Sequence, residues 1–249
     1  MHCYPSEKNY GFTHNYCDYF FDFNGPGTTQ LMREQVAQDF IFNCSHFLRY
    51  RLNIECGLAN IIAKSLFHRM THDRLHYHTP VHILSIFLFA QFHKIELEDW
   101  ERLAIWFHDA IYDIQSKNEM NESQSAAFMR AILPNGHDAT NKTINHASNA
   151  ILQTAYQDRS LEEVDEKYYK TLDLDICNFC FPANGFKHAS NALKAEYVPL
   201  MSVRAFTNVR RRFVDKMYKK KTFFRTNFFI SRFESIVKSN LMLVTSEVV

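Results

Sequence analysis

Hydrophobic positions along this 249-residue chain recur every three or four residues, which is the spacing of one face of an α-helix. The first such pattern covers roughly residues 30–50, and Leu58, Ile61, Ile62 and Leu66 mark a second. The remaining predicted helices cover approximately residues 80–92, 99–111, 123–133, 143–157, 162–177, 186–221 and 226–243. No alternating strand pattern of useful length interrupts them, so the sequence predicts an all-α fold in a single domain.

Several helix ends carry recognisable signals. Thr79 followed by Pro80 places a capping hydroxyl and a first-turn proline ahead of the apolar run at 81–92. Asp99 is predicted to cap the next helix, and the breaker at 134–136 ends the one after it.

Residues 1–29 differ from the rest because aromatic side chains crowd the segment and a turn sequence, NGPG at 24–27, closes it. We expect an N-terminal extension over 1–29 and one helical domain over 30–249. The extension is expected on the domain surface or at a subunit contact, which leaves a homo-oligomer open.

Composition and charge narrow the class of protein. The formal net charge is only +1, so no global signal favours nucleic acid or a membrane surface. The longest apolar run, 83–90, is too short to span a bilayer, and the start of the chain lacks the features of a secretory signal. We therefore expect a cytoplasmic protein with reduced cysteines. A lone CxxC at 177–180 favours packing over zinc or redox chemistry.

The strongest chemical signal is His108 followed by Asp109 at the end of the apolar run LAIWF. An imidazole and a carboxylate are costly to bury side by side unless a metal ion compensates both. His82 is a candidate third ligand. A fourth is expected from the segment LDLDI at 172–176, where we prefer Asp175 and keep Asp173 as the alternative. This ligand set suits one divalent transition metal (Mn, Fe, Co, Ni or Zn), and Mg is also allowed.

These motifs resemble the HD superfamily of metal-dependent phosphohydrolases, and more narrowly a bacterial group of short predicted HD phosphohydrolases. The resemblance covers roughly residues 30–243 and includes YHTPVHI at 77–83, LAIWFHDAIYD at 103–113, NESQSA at 121–126 and LDLDI at 172–176. Single positions also match, namely Glu196, Tyr197, Arg210, Phe224, Thr226, Phe229, Glu234, Asn240 and Leu241. The resemblance implies a helical HD-type domain and leaves the substrate undefined.

The YHxxxH string is also similar to that of the cyclic-nucleotide phosphodiesterases, a distant branch. That similarity implies that His82 binds metal and that His78 donates a proton to the leaving oxygen, as an imidazole titrating near neutral pH can do. A third similarity, to guanosine tetraphosphate hydrolases, is weaker because Tyr112 replaces the expected Glu. It leaves Asp113 as a residue that orients the attacking water or hydrogen-bonds a metal ligand.

Two further features leave alternatives open. Glu122 could hydrogen-bond a histidine ligand or the attacking water, but Asn121 and Glu122 could equally cap the helix that follows, and Asn118 and Glu119 could replace them. The group's histidine after Ile-Leu-x-Thr is missing, since the residues there are Ala155, Tyr156 and Gln157, so a single metal is expected.

A basic run in the C-terminal third contains nine cationic residues and one acidic residue, a local charge of +8. A solvated helix face is the simplest interpretation. The HD resemblance implies instead that Arg210 contacts a substrate phosphate, and nucleic-acid binding is a third option.

The combined prediction is a hydrolase of phosphate esters that acts on a nucleotide or a nucleotide-like small molecule. In it, His82, His108, Asp109 and Asp175 hold the metal. The catalytic candidates are His78, Asp113 and Glu122, and Arg210 binds the substrate phosphate. Nucleic acid and membranes are not expected as partners. The alternative is a non-catalytic nucleotide- or nucleic-acid-binding protein that keeps the metal for structure.

Overall fold

The structure is a computed structural model that describes residues 20–116, 120–134, 136–155 and 164–246. Those residues form ten α-helices and two short 3-10 helices with no strand, which confirms the predicted all-α class. In chain order the α-helices are α1 (Gln30–Arg51), α2 (Cys56–Met70), α3 (Pro80–Phe92), α4 (Asp99–Phe107), α5 (Met120–Ile132), α6 (Asp138–Thr154), α7 (Tyr169–Asp175), α8 (Ala183–Tyr197), α9 (Val203–Lys219) and α10 (Asn227–Ser246). The 3-10 helices are Glu166–Tyr168 and Cys177–Cys180.

The sequence signals correctly locate the starts of α3 and α4, but they do not identify the hydrogen bonds that cap these helices. Thr79 is the residue before α3, yet its buried hydroxyl makes no capping hydrogen bond, so that prediction is wrong. Glu98, rather than Asp99, caps α4 through a reciprocal pair of bonds with Glu101. Because α4 ends at Phe107 and not near 111, His108 and Asp109 lie just beyond the helix.

Two predicted long helices are broken in the structure. The segment predicted as helical over 186–221 is two helices, α8 and α9, separated by a turn that contains Pro199. Ser202 starts α9 by accepting a hydrogen bond from the backbone of Ala205 at 3.2 Å. The segment predicted over 162–177 is instead the short helix α7 between the two 3-10 helices, and residues 156–163 lie outside the described part of the chain.

Helix α3 is the centre of the core, since every residue from Pro80 to Ala90 is buried. It contacts α1, α4, α7 and the second 3-10 helix. Trp106 of α4 packs edge-on against Phe40, with ring centroids 5.0 Å apart, and against Phe87 at 4.6 Å. This aromatic packing joins the middle of α3 to the end of α4.

The described end of the N-terminal extension packs into this core. Phe20 and Phe23 are buried in it, and the Phe20 ring lies 5.5 Å from that of Tyr77. The Asn24 side chain donates to the carbonyl of Leu75, and Asp22 pairs with His76 at 2.8 Å. These bonds hold the loop that leads into α3. Residues 1–19 lie outside the described part of the chain.

None of the helices in the described ranges combines the length and the apolar character needed to cross a membrane. Cys44, Cys56, Cys177 and Cys180 are free thiols. Burial raises the pKa of the Cys177 and Cys180 thiols, so the CxxC pair is kept protonated and acts as packing between α8 and α10.

Candidate metal centre

Three separated segments bring two histidines and two aspartates to one point. His82 lies in the first turn of α3, His108 and Asp109 follow the end of α4, and Asp175 is the last residue of α7. Helix ends suit metal binding because side chains from several helices can meet there. The structure therefore brings together the four predicted metal ligands.

The distances within this cluster fit a shared cation. The Nε2 atoms of His82 and His108 are 3.4 Å apart. The Asp109 Oδ2 atom lies 3.1 Å from His108 Nε2 and 3.6 Å from His82 Nε2. The Asp175 Oδ1 atom lies 3.1 Å and 3.5 Å from the same two nitrogens. His82, His108 and Asp109 offer ligand atoms that all lie within 4.8 Å of one another, so these three side chains could hold one metal ion. Asp175 is not part of that group of three, although its Oδ1 atom faces both histidines.

Hydrogen bonding orients one of the two imidazoles for metal binding. His108 Nδ1 lies 2.9 Å from the carbonyl of Ile105, so it carries the proton and leaves the Nε2 lone pair facing the cluster. His82 Nδ1 is buried and makes no hydrogen bond within the described residues. The His82 ring is held by packing instead, with its centroid 4.9 Å from that of Tyr77.

The electrostatics of the cluster favour a cation. Burial disfavours the charged form of both carboxylates, but the neighbouring His108 outweighs that effect and lowers the pKa of Asp109 and of Asp175. Burial also opposes charge on His108, yet Asp109 and Asp175 raise its pKa well above the usual value. Without a cation, the two carboxylates favour a proton on His108 Nε2, and a divalent cation would take the place of that proton and use the Nε2 lone pair.

Asp173 and Asp175 lie two residues apart on α7 but face different surroundings. Asp173 is fully buried and accepts from the Arg225 N–H at 2.9 Å, the Thr226 N–H at 2.8 Å and the Thr226 hydroxyl at 2.7 Å. Burial raises the pKa of Asp173 to about 6, although those donors oppose the shift. Asp173 therefore anchors the start of α10, and Asp175 is the aspartate that faces the histidines.

A second buried pair lies beside the cluster. Glu196 of α8 accepts backbone hydrogen bonds from His76, Tyr77 and His78 at 2.9, 2.8 and 3.1 Å. Its other oxygen lies 2.5 Å from His78 Nδ1. Burial opposes charge on His78, but the charges of Glu196 and Asp109 raise its pKa above the usual value. Glu196 and Asp109 thus favour the protonated form of His78, and Nε2 is the ring nitrogen that Glu196 leaves free of contact.

Two tyrosines complete the surroundings of His78. The Tyr112 ring stacks on the His78 ring with centroids 3.5 Å apart and an interplanar angle of 16°. The Tyr112 hydroxyl hydrogen-bonds that of Tyr197 at 2.9 Å. Sequence reasoning assigned no role to Glu196, Tyr112 or Tyr197. The signal in the sequence was Glu196 followed by Tyr197, two positions that match the HD group. The neighbouring sequence did not show that these side chains lie near His78.

A cavity of about 270 Å³ lies beside the metal cluster, and its volume is near the lower limit for small-molecule pockets. His78, His82, Asp109, Asp175, Glu122 and Arg210 are all among its lining residues.

Asp113, in contrast, is not among the residues that line this cavity. It is exposed, its carboxylate accepts from the Gln115 N–H at 3.0 Å, and its backbone pairs with the Asn121 side chain at 2.9 and 3.1 Å. Asn121 therefore ties the loop to α5, while Glu122 in the first turn of α5 reaches the cavity. Asn118 and Glu119, the alternative pair, lie outside the described residues.

The basic run divides into inward and outward residues. The Arg210 guanidinium lies over the rings of Phe179 and Phe213, at 5.6 and 5.4 Å. Burial lowers the pKa of Arg210, and within the described residues no carboxylate pairs with it. The solvent-exposed members of the run are Arg204, Arg211, Arg212, Lys216, Lys219 and Lys221. Most of the run is thus a solvated face, as the simplest interpretation expects.

No protein-family model matches this chain, and neither a curated protein nor a solved structure matches it. The resemblance to the HD superfamily therefore stays a prediction carried by the motifs.

Proposed function

We propose that this protein is a metal-dependent hydrolase of phosphate esters, of the HD type, and that it acts on a nucleotide or a nucleotide-like small molecule. The observation that carries the proposal is the convergence of His82, His108 and Asp109, with Asp175 3.1–3.5 Å from the two histidines. His82, Asp109 and Asp175 line a cavity that is also lined by Arg210, whose guanidinium pairs with no carboxylate among the described residues. Metal-ligating side chains and an anion-binding group in one cavity are the components that hydrolysis of a phosphate ester needs.

The four ligands would hold one divalent cation, of which Mn, Fe, Co, Ni and Zn suit the donor set and Mg is also allowed. Bound there, the cation supplies Lewis-acid activation of a water molecule and of a phosphoryl oxygen. His108 is oriented for this role by Ile105. Tyr156 and Gln157, which bear on whether a second metal binds, lie outside the described residues.

The remaining residues handle protons and charge. Glu122 lines the cavity and is suited to accept a proton from the attacking water. Asp113 is exposed on its loop and is not among the lining residues, so it is less suited to that role. His78, charged and held by Glu196, donates its Nε2 proton to the ester oxygen as the phosphorus–oxygen bond breaks. Arg210 pairs with the phosphate oxygens, which its planar guanidinium can contact in a bidentate manner.

A direct test combines metal analysis with a substrate panel. The purified protein is reconstituted with each candidate metal, and phosphate release is measured on nucleoside monophosphates, cyclic nucleotides and p-nitrophenyl esters. Asp109→Asn is expected to lose bound metal and to lower turnover by at least about three orders of magnitude. The matched control is Asp99→Asn at the opposite end of α4, which should change neither. Full metal occupancy with normal turnover in Asp109→Asn would overturn the proposal.

A second candidate function is non-catalytic binding of a nucleotide or a nucleic acid. The observation that favours it is the exposed set of basic residues on and after α9. It predicts metal binding with no turnover on any substrate, together with salt-sensitive binding of labelled RNA or DNA. Proteins that contact about four phosphates lose about two orders of magnitude in affinity between 50 and 200 mM salt.

A further inference from the structure

One wall of the cavity is a single face of α9. Phe206, Arg210, Phe213, Met217 and Lys220 all line the cavity, and they follow one another at intervals of four, three, four and three residues. This spacing places them in one row along a helix. The wall therefore presents two cations with apolar side chains between them.

The two cations are well separated along the row. Arg210 and Lys220 are ten residues apart, which corresponds to about 15 Å along a helix axis. Lys220 directly follows the last residue of α9, and its side chain is half-buried. A single phosphate group can contact only one of these side chains, whereas an elongated ligand can contact both.

A further cation shares the cavity with Lys220. Arg225 also lines the cavity, and its backbone is fixed by two hydrogen bonds to the buried Asp173. Burial and the nearby charges of Arg225 and Lys216 lower the pKa of Lys220. The carboxylates among the described lining residues are Asp109, Glu122 and Asp175, and none of them pairs with Lys220. Two cationic side chains therefore line one cavity, and within the described residues no carboxylate pairs with the lysine.

We propose that Lys220 and Arg225 form a second anion subsite, and that the natural ligand is a phosphate ester with an additional phosphate. The apolar part between the two phosphates would lie against Phe213 and Met217. The assignment of the first phosphate to Arg210 rests on the proposed function, but the second subsite can be tested by binding alone.

The experiment compares matched pairs of probes that differ by one phosphate. Affinities of the metal-loaded protein are measured by calorimetry at 0.15 M salt for adenosine 5'-monophosphate against adenosine 3',5'-bisphosphate, and for fructose 6-phosphate against fructose 1,6-bisphosphate. Lys220→Met removes the charge and keeps most of the side-chain stem. Lys219→Met makes the same change one residue earlier, at an exposed position outside the cavity.

We expect at least one bisphosphate to bind about tenfold more tightly than its monophosphate, as one additional charge-assisted contact allows. Lys220→Met should remove most of that advantage, while Lys219→Met behaves as the wild-type protein. Equal affinity within both pairs, or equal losses in the two variants, would overturn the proposal. So would affinity for a 5'-phosphorylated single-stranded oligonucleotide that exceeds both bisphosphates and grows with its length.

The result separates this inference from the proposed function. A preference for bisphosphates that depends on Lys220 supports the subsite even if no metal produces phosphate release. In that outcome only the hydrolase proposal fails.

Discussion

The two walls of the cavity differ in how firmly their side chains are held. On the histidine wall, His78 and His82 line the cavity and are held by ring packing and, for His78, by hydrogen bonds to Glu196, while His108 behind them is held by the carbonyl of Ile105. On the α9 wall, Arg210 rests on aromatic rings and Lys220 has no carboxylate partner among the described residues. Fixed groups suit chemistry, which needs preset geometry, whereas long cationic side chains can adjust to a ligand.

The largest expected effect separates the two aspartates of α7. Asp175→Asn should lose metal and lower turnover by at least about three orders of magnitude, because it removes a charge from the cluster. Asp173→Asn should keep the metal but destabilise the protein by about 1–3 kcal/mol, since it weakens four buried hydrogen bonds to the Arg225 and Thr226 segment.

Metal analysis and urea unfolding of both variants measure this difference. If Asp173→Asn lost the metal while Asp175→Asn retained it, the roles inferred from the structure would be reversed.

A smaller effect is expected within the histidine wall. His78→Gln should keep the metal but reduce turnover by about two to four orders of magnitude, because it removes the proton donor. The loss should shrink on p-nitrophenyl esters, whose leaving group needs no proton. The turnover of Glu196→Gln should lie between those of the wild type and of His78→Gln. Glu196→Gln should also move the alkaline limb of the pH–rate profile to lower pH, because the Glu196 charge raises the His78 pKa.

Steady-state kinetics on an alkyl and an aryl phosphate ester, with metal content measured in parallel, check this prediction. Equal losses on both esters, or loss of the metal in His78→Gln, would contradict the role of proton donor.

The smallest effect is expected on the α9 wall. Arg210→Met should weaken substrate affinity by about tenfold to a hundredfold, as loss of a charge-assisted contact does, and it should raise KM more than it lowers kcat. Arg211→Met, the adjacent exposed position, should leave KM within about twofold, because exposed charges contribute little. Michaelis–Menten parameters for the two variants decide the point, and equal changes in both would show that Arg210 acts only through general charge.

Much of the architecture follows from patterns that are local in sequence. The helical period, the proline at position 80 and the run of apolar residues in α3 correctly predict an all-α fold and the start of its central helix. Predictions fail where a short signal was overlooked, as at Pro199, which divides α8 from α9. They also fail where two residues compete for one role, as when Glu98 rather than Asp99 caps α4.

The sequence by itself determined which residue types are available: a His-Asp pair after an apolar helix, a second His in the first turn of α3 and two aspartates on α7. Only the tertiary structure decided their roles. It directs Asp175 to the histidines and Asp173 to the α10 backbone, pairs Glu196 with His78, and leaves Asp113 on an exposed loop. The physical reason is that each role depends on a partner about 10 to 120 residues away, and the pattern around one residue carries no record of that distant contact.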